Sequence, residues 1–269
     1  MAVPARKLSL IRMSAALGVA ALAMLGVVSP ANAIQATNYV ALGDSYSSGV
    51  GAGSYGSSGG CKRSANSYPQ LWANKHAGTT FTFVACSGAR TGDALNQADS
   101  ITSAATLVTI SIGGNDAGFT DVITKCTLGS DQDCVNRVNT AKAYATGTLP
   151  GLLDGVYNKI KSKAPNARLI VLGYPRFYTV PGSCSVGLSD TKRSAINSGA
   201  DTIASVTSGR ASAAGATFVD VRGSFTGHNI CSGGTSYLNS LTWPVDESYH
   251  PTALGQSNGY YPPLASVTG

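Results

Sequence analysis

The sequence predicts an α/β fold with a central, mainly parallel sheet and helices on both of its faces. Two observations carry that expectation. Short apolar runs that end at glycines or polar turns alternate along the chain with longer segments of helical spacing. Each apolar run is also short enough to be a strand buried on both faces, as a parallel sheet requires.

The predicted strands come in order. Tyr39-Val40-Ala41-Leu42 ends at Gly43, residues 80–85 end at Cys86-Ser87-Gly88, and residues 107–112 end at Gly113-Gly114-Asn115-Asp116. Arg168–Leu172 ends at Gly173, and residues 216–221 close the set. Between the third and fourth runs, Leu149, Leu152, Leu153, Val156, Tyr157 and Ile160 recur at helical spacing; Pro150 starts or kinks that helix and Pro165 stops it. Residues 189–214 read as a second helix, capped by Ser189 or Asp190, with Gly215 just past its end. Residues 50–60 are rich in glycine and serine and read as a mobile surface loop. Ligands of such sheets sit beyond the carboxyl ends of the strands, so chemistry is sought there.

The chain has 269 residues, of which 43% are apolar and 12% charged, a balance that excludes a disordered protein and allows a sizeable core. Residues 1–33 read as a secretory signal peptide. Arg6, Lys7 and Arg12 precede a small-residue apolar stretch, and Ala31-Asn32-Ala33 fits a cleavage site. Without an internal repeat or a dividing linker, residues 34–269 are expected to form a single domain. Removing the leader takes away three basic residues and no acidic one, so the formal charge falls from +6 to +3. That mild, scattered excess does not indicate a nucleic-acid partner.

Six cysteines, Cys61, Cys86, Cys126, Cys134, Cys184 and Cys231, all follow the leader. An even number in an exported chain reads as three disulfides, with 15 formal connectivities. Pairing in order closes the shortest loops and is the expected arrangement. No C-x2-C spacing occurs and only three histidines are present, so no metal is expected.

Three strand ends and one late segment carry polar residues suited to acyl transfer. Ser45 follows the first strand directly, in Gly43-Asp44-Ser45-Tyr46. Gly88, after the second, lets a bare N–H approach a ligand. Asn115, after the third, offers a side-chain amide donor. His250, in Ser248-Tyr249-His250-Pro251, lies before a predicted final helix. A serine hydroxyl needs a base to take its proton, and imidazole suits that task. Donors aimed at the oxyanion are each worth about 3 kcal/mol of barrier.

These blocks, in this order across residues 34–260, resemble those of the SGNH hydrolases, whose first block is of the GDSL type. With its three disulfide-compatible cysteine pairs, the chain is similar to the secreted actinobacterial, Streptomyces-type, lipases and esterases of that superfamily. The resemblance implies a three-layer α/β/α sandwich, no cofactor and no metal. It implies Ser45 as nucleophile and His250 as base, with the Ser45 amide, Gly88 and Asn115 as oxyanion donors. One position departs from the pattern: the aspartate common three residues before the histidine is here Glu247, the only glutamate in the chain. The main-chain carbonyl of Ser248 is the favoured alternative for holding the imidazole, with the Glu247 carboxylate as its competitor.

The expected function is hydrolysis of lipid acyl esters such as acylglycerols through an acyl-enzyme, by a secreted monomer without a stable membrane anchor. Phospholipase A1 and polysaccharide or acetyl esterase are the enzymatic alternatives, and a secreted surface-binding module is the non-enzymatic one. With an ordinary imidazole as base, activity should climb as pH rises through about 6–7. The G-x-S-x-G match around Ser58 is set aside because glycine-rich loop flanks it on both sides, where a nucleophile elbow needs a strand and a helix. Asp44 and Asp116 are expected in turn or cap roles. Tyr55, Phe119, Phe177 and Tyr178 are candidates for an acyl pocket, with packing an equal alternative.

Overall fold

Five strands form one parallel sheet in the computed structural model, which describes residues 1–2, 37–185 and 187–269. They are β1 (Asn38–Ala41), β2 (Thr80–Phe83), β3 (Leu107–Ile110), β4 (Arg168–Leu172) and β5 (Thr217–Val219), in the order β2-β1-β3-β4-β5. The basic segment, apolar stretch and cleavage site predicted for the leader lie outside the described residues. Contacts group Ala36–Gly269 into one unit.

Alternate residues of each strand feed two cores. Tyr39, Ala41, Leu107, Ile170 and Leu172 pack into one, with side chains from α2 (Tyr68–Lys75), α4 (Phe119–Leu128) and α8 (Tyr261–Thr268). Val40, Leu42, Val108, Ile110, Leu169 and Val171 pack into the other, with α3 (Thr91–Gln97) and α6 (Leu149–Lys163). Two long helices, α5 (Asp131–Gly147) and α7 (Asp190–Ala213), pack on each other and contribute to both cores. The result is the expected α/β/α layering.

Local chemistry sets the element ends. Pro150 sits in the first turn of α6, where a missing N–H costs nothing. The Ser189 hydroxyl caps α7 by accepting from Lys192 N at 3.2 Å, and Gly215 past its end is left-handed (φ +65°). The strands are shorter than the apolar runs because the flanking residues keep sheet-like bonds after the ladder ends: Leu42 N donates to Thr109 O at 2.9 Å and Val84 N to Ala41 O at 2.9 Å. Burial on both faces holds for the three inner strands. Edge strands β2 and β5 are partly exposed, because each has a neighbour on one side only.

The cysteines pair as Cys61–Cys86, Cys126–Cys134 and Cys184–Cys231. The second bridge joins α4 to α5. The first ties the loop ahead of α2 to the turn after β2, where Ser87 N also donates to Cys61 O at 3.1 Å. The 50–60 segment is held in place at its start, while Gly56, Ser57, Gly59 and Gly60 are exposed as in the expected surface loop. Its start is buried at Val50 and Ala52, Gly51 N donates to Tyr55 Oη at 2.9 Å, and Tyr55 Oη donates to Glu247 at 2.7 Å. The strand order reverses at β1, since β2 lies on one side of it and β3 on the other. Reversal opens a crevice beyond the carboxyl ends of β1 and β3.

Candidate active site

Ser45 occupies that crevice because β1 ends in a turn that only glycine can make. Gly43 has φ +121°, and a Cβ there would lie 2.5 Å from Ser111 O and 2.7 Å from Ser47 Oγ. The Gln97 side chain clamps Gly43 from outside, accepting from its N at 2.7 Å and donating to its O at 3.0 Å. Asp44 caps the single helical turn α1 (Ser45–Ser48) by accepting from Tyr46 N at 3.0 Å. Ser45 is then the first residue of that turn, where a backbone N–H has no carbonyl one turn behind it.

His250 comes from the far end of the chain. Its segment is a closed loop: Asn239 N donates to His250 O at 2.9 Å and Tyr249 N to Asn239 O at 3.0 Å. Tyr249 adopts φ +64°, a left-handed conformation that a bulky residue holds only under constraint, and Tyr46 Oη grips its carbonyl at 2.7 Å. Gly51 packs beneath, with space for no Cβ: one would lie 2.9 Å from the Cβ of His250. The start of the 50–60 loop therefore supports the histidine segment, a role its composition concealed.

The two side chains meet. His250 Nε2 lies 2.8 Å from Ser45 Oγ, and Nδ1 lies 3.0 Å from the Ser248 carbonyl. A nitrogen facing a carbonyl carries the proton, so Nδ1 is N–H and Nε2 presents its lone pair to the hydroxyl. Both residues are buried. Burial lowers the imidazole pKa from 6.5 to about 4, and the Ser248 carbonyl opposes that only in part. The imidazole is therefore neutral at neutral pH.

The Glu247 carboxylate is occupied elsewhere. It accepts from Tyr55 Oη at 2.7 Å and lies 3.9 Å from Lys62 Nζ, which also pairs with Asp246 at 2.5 Å. As an alternative for holding Nδ1, Glu247 is not where the sequence argument needed it; its longer side chain turns outward to the 50–60 loop. Asp116 caps α3, accepting from Thr91 Oγ1 at 2.5 Å and from Thr91 N. His76 stacks on Trp72 and His228 on Tyr237, away from Ser45. Ser58 donates to Tyr55 O at 2.9 Å within its loop.

Gly88 and Asn115 line the same groove as Ser45 and His250. Gly88 has φ +78° with open space where a Cβ would be. Asn115 Nδ2 donates one hydrogen to Ala89 O at 3.0 Å, which fixes the amide plane and leaves its second hydrogen available. The backbone before Asn115 is held by a residue the sequence argument passed over. Tyr174, next to the glycine that ends β4, accepts from Gly114 N at 3.1 Å and donates to Asp44 Oδ2. Ser111 donates to Asp44 Oδ1 at 2.8 Å. Burial raises the Asp44 pKa from 3.8 to about 6 despite these bonds. Asp44 thus ties the Ser45 turn to the Asn115 turn through two hydroxyls.

Beneath Ser45 and Asn115 a narrow apolar cavity of about 60 Å³ runs between α4, α5 and α7. Phe119, Val138, Ala141, Phe177, Ile196 and Ala200 wall it. Of the four aromatic candidates, Phe119 and Phe177 line this cavity; Tyr178 lines a polar cleft instead, and Tyr55 supports the histidine loop.

A hydroxyl bonded to a neutral, buried imidazole can transfer an acyl group, and the cavity beside it is lined by apolar side chains. Fold and site together define a carboxylic-ester hydrolase of α/β/α architecture. The sequence pattern of the GDSL-like lipase/acylhydrolase family matches residues 41–257. A lipase from Streptomyces rimosus is 57% identical over 259 residues, covering 95% of this chain and 96% of that protein. The crystal structure of an extracellular lipase from Streptomyces rimosus superposes with a TM-score of 0.85 at 58% identity, over 87% of this chain and all of that one. Phospholipase A1 from Streptomyces albidoflavus superposes at 0.83 with 55% identity, over 86% of this chain and 99% of that one. The chain belongs to the GDSL-like lipase/acylhydrolase family.

Proposed function

We propose that this protein is a secreted lipase that cleaves acyl esters of lipids such as acylglycerols, with Ser45 as nucleophile and His250 as base. The observation that carries the reading is the 2.8 Å bond between Ser45 Oγ and His250 Nε2, with Ser45 also lining a narrow apolar cavity. Ser45 Oγ attacks the ester carbonyl as its proton passes to Nε2. The carbonyl oxygen becomes an oxyanion facing the Ser45 and Gly88 N–H groups and the free Asn115 amide hydrogen. The alkoxide departs with the proton from Nε2, leaving an acyl-serine. Water then attacks, giving its proton to Nε2; the fatty acid leaves and Ser45 recovers its hydrogen. In this dyad the Ser248 carbonyl fixes the imidazole tautomer, a task that needs no formal charge.

Export is part of the same reading. The leader pattern of residues 1–33 supports it, as do three disulfides, which belong to oxidising compartments. Phospholipase A1 activity is the second reading, favoured by the solved phospholipase A1 at 55% identity.

Ser45→Ala tests the assignment. Hydrolysis of p-nitrophenyl esters should fall by about 10⁴-fold or more, and a fluorophosphonate should label the parent enzyme and not the variant. Retained turnover in Ser45→Ala refutes the mechanism. Rates on an emulsified triacylglycerol against release of the sn-1 acyl chain from phosphatidylcholine separate the two substrate readings.

A further inference from the structure

The groove that holds Ser45 and His250 is bordered by apolar side chains that the folded chain leaves in water. Leu128, the last residue of α4, stands on one wall with 81% of its surface exposed. Leu241 and Val245 line the same groove from another segment and are exposed as well. Between them in sequence, Trp243 projects with 86% exposure and does not line the groove. Three of these residues belong to the tip of the closed loop whose base presents His250. Exposing large apolar groups together costs solubility, and such clusters mark contact surfaces.

We propose that Leu128, Leu241, Trp243 and Val245 form a docking rim that seats the mouth of the active site on the surface of an aggregated, uncharged or zwitterionic lipid. The inference rests on the lipase reading of the site. Leu128, Leu241 and Val245 line the groove that holds Ser45 and His250, and Trp243 adjoins them in the 239–250 loop. An ester drawn from an aggregate seated there would meet Ser45 without crossing water, and its acyl chain would face the apolar cavity. Charge near the rim argues for a neutral surface. Lys62 is committed to Asp246 at 2.5 Å and Glu247 at 3.9 Å, and Lys125, one turn before Leu128, lies 4.0 Å from Asp133. Such pairs leave little attraction for anionic headgroups, so apolar insertion supplies the binding. A tryptophan suits that depth, its ring lying among the headgroups and upper acyl chains.

The protein carries its own reporter. Of its two tryptophans, Trp72 is buried with 2% exposure and Trp243 faces solvent. Addition of phosphatidylcholine vesicles to the full protein carrying Ser45→Ala, which prevents turnover, should shift Trp emission to the blue and make it quenchable by brominated lipid chains. Trp243→Ser in that background should lower vesicle affinity by about tenfold or more. With Ser45 intact, Trp243→Ser should hydrolyse monomeric p-nitrophenyl butyrate within about twofold of the parent while losing most of its rate on a lipid emulsion. Several outcomes overturn the proposal: an unchanged spectrum, equal vesicle affinity of the Trp243→Ser protein, binding confined to anionic vesicles and abolished by salt, or a dimer in solution that Trp243→Ser dissociates. Loss of butyrate hydrolysis on Ser45→Ala, or its persistence, tests the catalytic assignment separately and leaves these readouts unaffected.

Discussion

At the scale of single residues, burial keeps one imidazole neutral and the fold holds one hydroxyl within its reach. A base lowered to about 4 by burial is deprotonated through the whole neutral range. The sign follows: kcat/KM should rise with pH along an acid limb near 4 and be flat by about 6, where an unperturbed histidine would still be titrating. A kcat/KM profile on a soluble ester from pH 3.5 to 8 checks it, and a limb centred at 6–7 contradicts it. Glu247→Ala should reduce kcat by less than about tenfold, because its carboxylate bonds Tyr55 and not Nδ1. A loss on the order of 10³-fold would make that carboxylate part of the catalytic group. Ser45, His250 and Asn115 are legible in the sequence as candidates because each sits in a short polar block at a strand end or turn. The partner of Nδ1 was left between two candidates, since one methylene and one loop conformation decide where a carboxylate points.

At the scale of elements, the strand ends do the positioning. β1, β2 and β3 are neighbours in the sheet, so the turns carrying Ser45, Gly88 and Asn115 emerge side by side. The placement of each turn at a strand end, though not the order of the strands, follows from periodicity and glycine placement. The cavity does not. Its walls on α5 and α7 are small or branched side chains such as Ala141, Ala200 and Ile196, which sequence periodicity reads as ordinary helix-packing positions. Only the spacing of the two packed helices turns them into a lining. Ala200→Phe should fill part of that space. The ratio of rates on p-nitrophenyl laurate and butyrate should fall by about tenfold or more with the short ester little affected, as a chain-length series would show. Tyr174 belongs to this scale too: it joins the turn after β1 to the turn after β3 from the end of β4, a link no local pattern announces.

At the scale of the whole molecule, three disulfides close loops of very different length, with sequence separations of 47, 25 and 8 residues. The chain-entropy account orders their contributions accordingly, at about 4, 3.5 and 2.5 kcal/mol for Cys184–Cys231, Cys61–Cys86 and Cys126–Cys134. Paired Cys→Ala variants followed by urea unfolding should reproduce that order. An inverted order would mean that native-state contacts near the bridges outweigh loop closure.

The sequence by itself determined the α/β class, the sites where strands give way to polar turns, the caps of α6 and α7, and the residue types available for acyl transfer. All of these are written in intervals of a few residues, where backbone sterics and burial period act. Tertiary structure alone decided that a hydroxyl and an imidazole 205 residues apart would bond, that a carbonyl and not a carboxylate would face Nδ1, and that α4, α5 and α7 would leave an apolar hollow beneath them. Those outcomes depend on how far and at what angle whole elements pack, and local sequence patterns carry little information about such distances.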